Sequence, residues 1–237
     1  MCSIIIENKS SIDLDNKLLL KIVKQSNLPL GKLLLILSNN GLGNRYGACI
    51  PRSTLKYTVS GSVFRLFKER LWDVSVALSK DVCAEQVIYP AFFTYLLGHE
   101  LGHAYICLLD VKIHIFYCLL EDFYNKVAEK KLQIYEFPHE KCFDQFGIYV
   151  AKQLYSRAKL KEEIEKLLLN PIRKDKEYLS KMQSYSGINM LADLKSNLID
   201  FAKPYKDELI GLWKKDVEER NGYALASEID DFETLFE

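Results

Sequence analysis

The sequence has no surplus of either charge. Its 32 Lys and Arg face 32 Asp and Glu, so the formal net charge is zero. A chain so balanced gives no electrostatic case for nucleic acid or for an anionic membrane surface. It also lacks an uncharged apolar run of the roughly 18–20 residues that a membrane span needs. Residues 90–109 come nearest, and they carry two His and a Glu. The opening stretch MCSIIIENKSS has no basic segment and a short apolar core, so no secretory signal is expected. The Cys, at 2, 49, 83, 107, 118 and 142, form no C-x-x-C pair. They read as reduced thiols of a cytoplasmic protein, mostly buried. A phosphate loop is missing too. Asn39-Asn40-Gly41-Leu42-Gly43-Asn44 matches neither G-x-x-x-x-G-K-[ST] nor G-x-G-x-x-G and reads as a turn. No internal repeat is evident.

Histidine is scarce, with four in the chain, yet two of them stand four residues apart in one apolar stretch. That stretch, Pro90 to Asp110, reads PAFFTYLLGHELGHAYICLLD and contains His99-Glu100-Leu101-Gly102-His103. On a helix, His99 and His103 lie on one face, a turn apart, which is the spacing that puts two imidazoles on one zinc ion. Glu100 lies about a quarter-turn round, within reach of a water on the same metal. Burying two His and a Glu without partners costs several kcal/mol, on the order of 2–7 for each unpaired polar group. A metal site accounts for all three together. The competing readings are a chance match and a buried polar network without metal.

The remaining pattern predicts an α+β fold. Residues 3–7 and Lys32 to Ser38 read as short strands, with an amphipathic helix between them from Asp13 to Gln25, capped by Asp13 or Asp15. Strand signals follow at 54–59, 62–67 and 74–78. Pro90 suits the first turn of the motif helix. A second helix is expected over Val111 to Val127 and a third from Pro138 to about Leu154. From Ser156 onward the pattern is helical, with breaks at Asn170-Pro171, Ser184 to Gly187 and Lys203-Pro204. This suggests a catalytic unit over 1–155, with a small sheet against the motif helix, and a helical extension over 156–237. The acidic-aromatic end, EIDDFETLFE, reads as a frayed terminus, or as a partner-docking or self-inhibitory segment.

A catalytic zinc takes three protein ligands and keeps one position open. The extended pattern HExxHxxGxxH is excluded, because Ile106 and Leu109 stand where Gly and His are needed. His114 falls beyond the end of the motif helix and reads as a partly buried histidine. Cys107 and Cys142 have no ligand spacing. The best candidate is Glu140. Glu140 and Asp144 share a helix face, which continues through Gly147 and Ala151. Two carboxylates followed by two small residues suit a close approach to another helix. On the motif helix, Gly98 and Gly102 form a matching narrow stripe beside the two His. His139 is the rival ligand, although it points off the Glu140–Asp144 face. An ordinary solvated face is the other reading of the two acids.

HELGH followed by E-x-x-x-D on another helix resembles the gluzincin zinc metallopeptidases. Glu140-Lys-Cys-Phe-Asp144-Gln-Phe-Gly147 is similar to the E-x-x-A-D-x-F-A segment of the soluble ImmA/IrrE-type peptidases, with Phe143 where those carry Ala. A related segment occurs in the HtpX-like membrane peptidases. The resemblance spans residues 90–155. It implies a zincin-like domain and a single zinc on His99, His103 and Glu140. It also implies Glu100 as general base and Asp144 as the acceptor that orients a ligand imidazole. The substrate would be a peptide or protein, such as a regulatory protein, lying extended along an edge strand. The 74–82 stretch is the candidate for that edge. Tyr105, Tyr135, Tyr149 and His114 are all available to stabilise the oxyanion. The rival from another class is a non-catalytic binding or scaffold protein on a degenerate zincin fold. The intact Glu100 favours the enzyme.

Overall fold

The computed structural model describes residues 2–8, 13–39, 46–51, 72–126, 132–171, 175–219 and 233–236. The expected strands at 54–59 and 62–67 lie outside these residues. So does the Gly-rich turn, apart from Asn39.

Four described strands, β1 (Ser3–Asn8), β2 (Lys32–Asn39), β3 (Gly47–Pro51) and β4 (Val74–Ser79), form one sheet in the order β1-β2-β4-β3. β1, β2 and β4 are parallel, and β3 runs antiparallel to β4. The interior pair explains its own composition. Leu33 to Leu37 of β2 and all of β4 are buried, and strands covered on both faces read as continuous apolar runs. The structure is thus mixed α+β, as the sequence suggests.

β4 bears out the strand expected at 74–78 and corrects the edge expected over 74–82. It stops at Ser79, whose hydroxyl accepts a hydrogen bond from Val82 N at 3.3 Å and caps a helix, α2 (Lys80–Ile88). The residues from 80 onward are therefore helical. β4 also lies between β2 and β3, so 74–82 offers no free edge for a substrate. Among the described residues, the edge beside the motif helix is β3.

The first helix, α1 (Asn16–Gln25), starts at Asp15, whose carboxylate accepts from Lys17 N and Leu18 N at 2.9 and 3.1 Å. The motif helix is α3 (Pro90–Leu109), with Pro at its first position. It is buried almost all round, from Phe92 and Phe93 through Tyr95 and Leu97 to Leu101 and Ala104. A helix with no solvated face belongs in the core. No described helix is long and apolar enough to cross a membrane. Next come α4 (Val111–Lys126) and α5 (Pro138–Leu154), close to the expected bounds.

α3 and α5 cross at two glycines. A Cβ on Gly98 would stand 3.0 Å from Gly147 Cα, and one on Gly147 would stand 2.6 Å from the Tyr95 carbonyl oxygen. The small-residue stripes meet as expected, bringing the faces of His99 and Glu140 together. Gly102 faces the Phe143 ring instead.

Beyond residue 155 come α6 (Arg157–Leu169), α7 (Lys176–Met182), α8 (Leu194–Ala202) and α9 (Lys206–Glu219). The first two breaks fall where expected. The third does as well: α8 ends at Ala202, Lys203–Tyr205 forms a 3-10 turn, and α9 begins at Lys206. These helices share the core of the motif helix. Ile164, Leu179, Leu198 and Leu209 belong to the same hydrophobic cluster as Phe92 and Phe143. The end of the chain is not frayed at 233–236. Leu235 is buried, and the Phe236 ring meets Phe116 of α4 edge-on at 5.5 Å.

Candidate metal centre

Three side chains converge where α3 and α5 cross. His99 Nε2 lies 3.4 Å from Glu140 Oε2, His103 Nε2 lies 3.6 Å from Glu140 Oε1, and the two Nε2 atoms are 3.3 Å apart. Helix periodicity puts the imidazoles one turn apart on α3, and the glycine crossing lets Glu140 reach them. These three form a donor group able to hold a metal ion.

The outer nitrogens of both rings are engaged, which leaves the inner ones to ligate. His99 Nδ1 donates to Asp144 Oδ1 at 2.8 Å. Asp144 is fully buried, and the same oxygen accepts from the Tyr95 and Tyr178 hydroxyls, each at 2.5 Å. His103 Nδ1 lies 3.0 Å from the Tyr117 hydroxyl, which also bonds to His114 Nδ1. Such outer partners fix the tautomer and the ring plane of a ligand histidine.

The electrostatics of the donor set favour a cation. Burial disfavours the charged form of His99, but the hydrogen bond and charge of Asp144, with Glu140 and Glu100, raise its pKa to about 9. Burial and the neighbouring histidines His99, His139 and His114 push His103 well below its ordinary value. Burial raises the Glu140 carboxyl to about 8, against the pull of His99. A divalent ion between the three donors supplies the positive charge that a deprotonated set requires.

Glu100 is half-buried, and its charge acts on both His99 and Glu140. Its carboxylate packs against the backbone of β3. A Cβ on Gly47 would stand 2.3 Å from Glu100 Oε1. The glycine therefore makes room for the acid at the sheet edge.

The rival ligand His139 points elsewhere. Its Nε2 bonds to Glu121 Oε1 at 2.7 Å, its ring stacks on Tyr117, and it stands 3.8 Å from Glu140 Oε1. Glu121, His139 and Glu140 form a second donor group that shares Glu140 with the first. Of the oxyanion candidates, Tyr135 donates to Glu177 at 2.6 Å, Tyr105 and Tyr149 pack on the Phe146 ring, and His114 lies behind Tyr117.

Several supporting residues escaped the sequence reading. Tyr95 precedes His99 by one turn, so the stripe Tyr95-His99-His103 could have shown it. Gly47, Tyr117 and Tyr178 carry no local signal. Nor does Glu163 of α6, whose Oε2 accepts from Phe92 N at 2.9 Å. That carboxylate caps α3, whose own N-cap residue, Tyr89, makes no side-chain cap.

Compared with protein-family models, with curated proteins and with solved structures, the chain matches none.

Proposed function

We propose that the chain is a zinc-dependent metallopeptidase with a gluzincin-like site. His99, His103 and Glu140 are the ligands, and Glu100 is the general base. The observation that carries this reading is the close convergence of the three donor side chains. With zinc–nitrogen and zinc–oxygen bonds near 2.0–2.2 Å, tetrahedral ligands sit about 3.4 Å from one another. The two Nε2 atoms are 3.3 Å apart, and each faces its own oxygen of Glu140, His99 Nε2 at 3.4 Å from Oε2 and His103 Nε2 at 3.6 Å from Oε1. The resemblance in the two motifs supports the same assignment.

Bound there, zinc supplies Lewis acidity and a water with a pKa near 7. The chain's own groups do the rest. Glu100 accepts the proton of the attacking water and passes it to the leaving amine. Asp144 keeps the proton of His99 on Nδ1, so that Nε2 presents its lone pair. Tyr117 holds His103 in the same sense. A peptide adds as a strand along β3, beside Glu100, with main-chain hydrogen bonds fixing its register. On the resemblance, the substrate is a protein such as a cytoplasmic regulator.

The test is elemental analysis of purified protein, followed by hydrolysis of casein or a peptide library with and without chelator. The expected result is about one zinc per chain and cleavage that chelator abolishes and added zinc restores. Zinc without turnover would point to the non-catalytic binding or scaffold protein. Absence of bound metal, with His99→Ala unchanged, would remove the site altogether.

A further inference from the structure

β3 presents a second reactive group to the motif helix. Two residues beyond Gly47, Cys49 Sγ stands 3.9 Å from Cys107 Sγ of α3. Both thiols are half-buried, whereas Cys83 and Cys142 are buried. An imidazole accompanies the pair. His114 Nε2 lies 3.7 Å from Cys118 Sγ, and Cys107 is near enough for its charge to raise the His114 pKa. The Tyr117 hydroxyl fixes its other nitrogen. Partly exposed thiols beside a histidine are the setting in which cysteine becomes reactive.

We propose that Cys49 and Cys107 form a dithiol that hydroperoxides oxidise to a reversible disulfide, joining the edge strand to the motif helix. Burial opposes ionisation of Cys107, but the Cys49 hydrogen bond and the charge of His114 outweigh it and lower its pKa. Burial, then Cys107, keeps Cys49 protonated. Cys107 is therefore the attacking sulfur. Its thiolate attacks one peroxide oxygen and the O–O bond breaks. The leaving oxygen takes a proton from His114 and departs as water or alcohol. Cys107 is left as a sulfenic acid. Cys49 sulfur then attacks Cys107 sulfur, the S–O bond breaks, and the hydroxide leaves as water with the Cys49 proton. Two thiols lose two electrons and the peroxide gains them. The sulfurs must close by about 2 Å to reach bonding distance near 2.05 Å.

The link would fasten β3 to α3 across the strip that holds Glu100. Any effect on peptide capture rests on the proposed function, but formation of the disulfide does not. The experiment treats the reduced full-length chain with stoichiometric hydrogen peroxide, unfolds it in urea with iodoacetamide to block every free thiol, and maps the peptides by mass spectrometry. The expected product is a Cys49–Cys107 cross-link that dithiothreitol reverses, with Cys83 and Cys142 alkylated. Cys118→Ser should still form it. Cys49→Ser should instead leave a Cys107 sulfenic acid that dimedone traps, with a lifetime at least about tenfold longer than in the wild type. Hydrogen exchange at the β3 amides should slow in the oxidised chain. A Cys107–Cys118 link, oxidation spread evenly over the thiols, or Cys49 and Cys107 both alkylated would each overturn the proposal.

Discussion

Gly47 and Glu100 are in contact across the boundary between sheet and helix: a Cβ on the glycine would lie 2.3 Å from the acid's Oε1. Gly47→Ala must therefore move the Glu100 carboxylate. The obstructing atoms end a flexible side chain, so folding should survive. The metal donors are untouched, so zinc stoichiometry should stay at wild type. Turnover should fall by on the order of 10²-fold, the scale on which a misplaced catalytic group costs rate. Metal analysis beside peptide kinetics checks this. Unchanged turnover would mean that Glu100 tolerates displacement and is not the base.

Glu100→Gln separates the base from the ligands more directly. The amide keeps the shape and removes only proton acceptance. Zinc content should be retained, while turnover falls by about 10²–10⁴-fold. A variant that keeps full activity would take Glu100 out of the mechanism.

Glu163 tests how far the C-terminal helices support the site. It is buried, it caps the motif helix through Phe92 N, and Lys159 Nζ stands 3.5 Å away. Glu163→Ala removes both the acceptor and the charge at the helix N-terminus. A loss of about 1–2 kcal/mol is expected, read from the urea midpoint. Glu163→Gln keeps an acceptor and should lose less. If both variants match wild type, the cap contributes nothing measurable.

What the sequence made legible follows from the range of each signal. His99, His103, Glu140 and Asp144 were readable because helix periodicity converts spacing into a shared face, and glycines mark where faces can meet. β2 was readable from its unbroken apolar run. The role of β3 was not, because strand order is set by pairing between segments distant in sequence. A buried central strand such as β4 looks like any other short apolar run. Tyr178 and Glu163 were invisible for the same reason. They act on α5 and α3 from helices brought there only by the common core. The Lys203-Pro204 break was readable because proline cannot continue the helix before it.

The division of labour between Glu140, Asp144 and His139 can be resolved by zinc competition. Glu140 alone spans both imidazoles, facing His99 Nε2 at 3.4 Å and His103 Nε2 at 3.6 Å. Glu140→Ala leaves two nitrogen donors and should lose zinc most severely of the three. Asp144 touches the far side of the His99 ring at 2.8 Å, so Asp144→Ala should weaken zinc binding by about 10–100-fold while the site persists. That variant also takes the shared acceptor from the Tyr95 and Tyr178 hydroxyls, leaving them only each other, so its folding is checked by circular dichroism. Tyr178→Phe removes one donor from Asp144 and leaves the carboxylate in place. It should therefore weaken zinc less than Asp144→Ala does. His139 is held by Glu121, and His139→Ala should lower zinc affinity least. If His139→Ala loses the metal while Glu140→Ala keeps it, the ligands are three histidines. The ion would then sit toward Glu121, and the gluzincin reading fails. If Asp144→Ala is as damaging as Glu140→Ala, the shared face stands but Asp144 does more than orient His99.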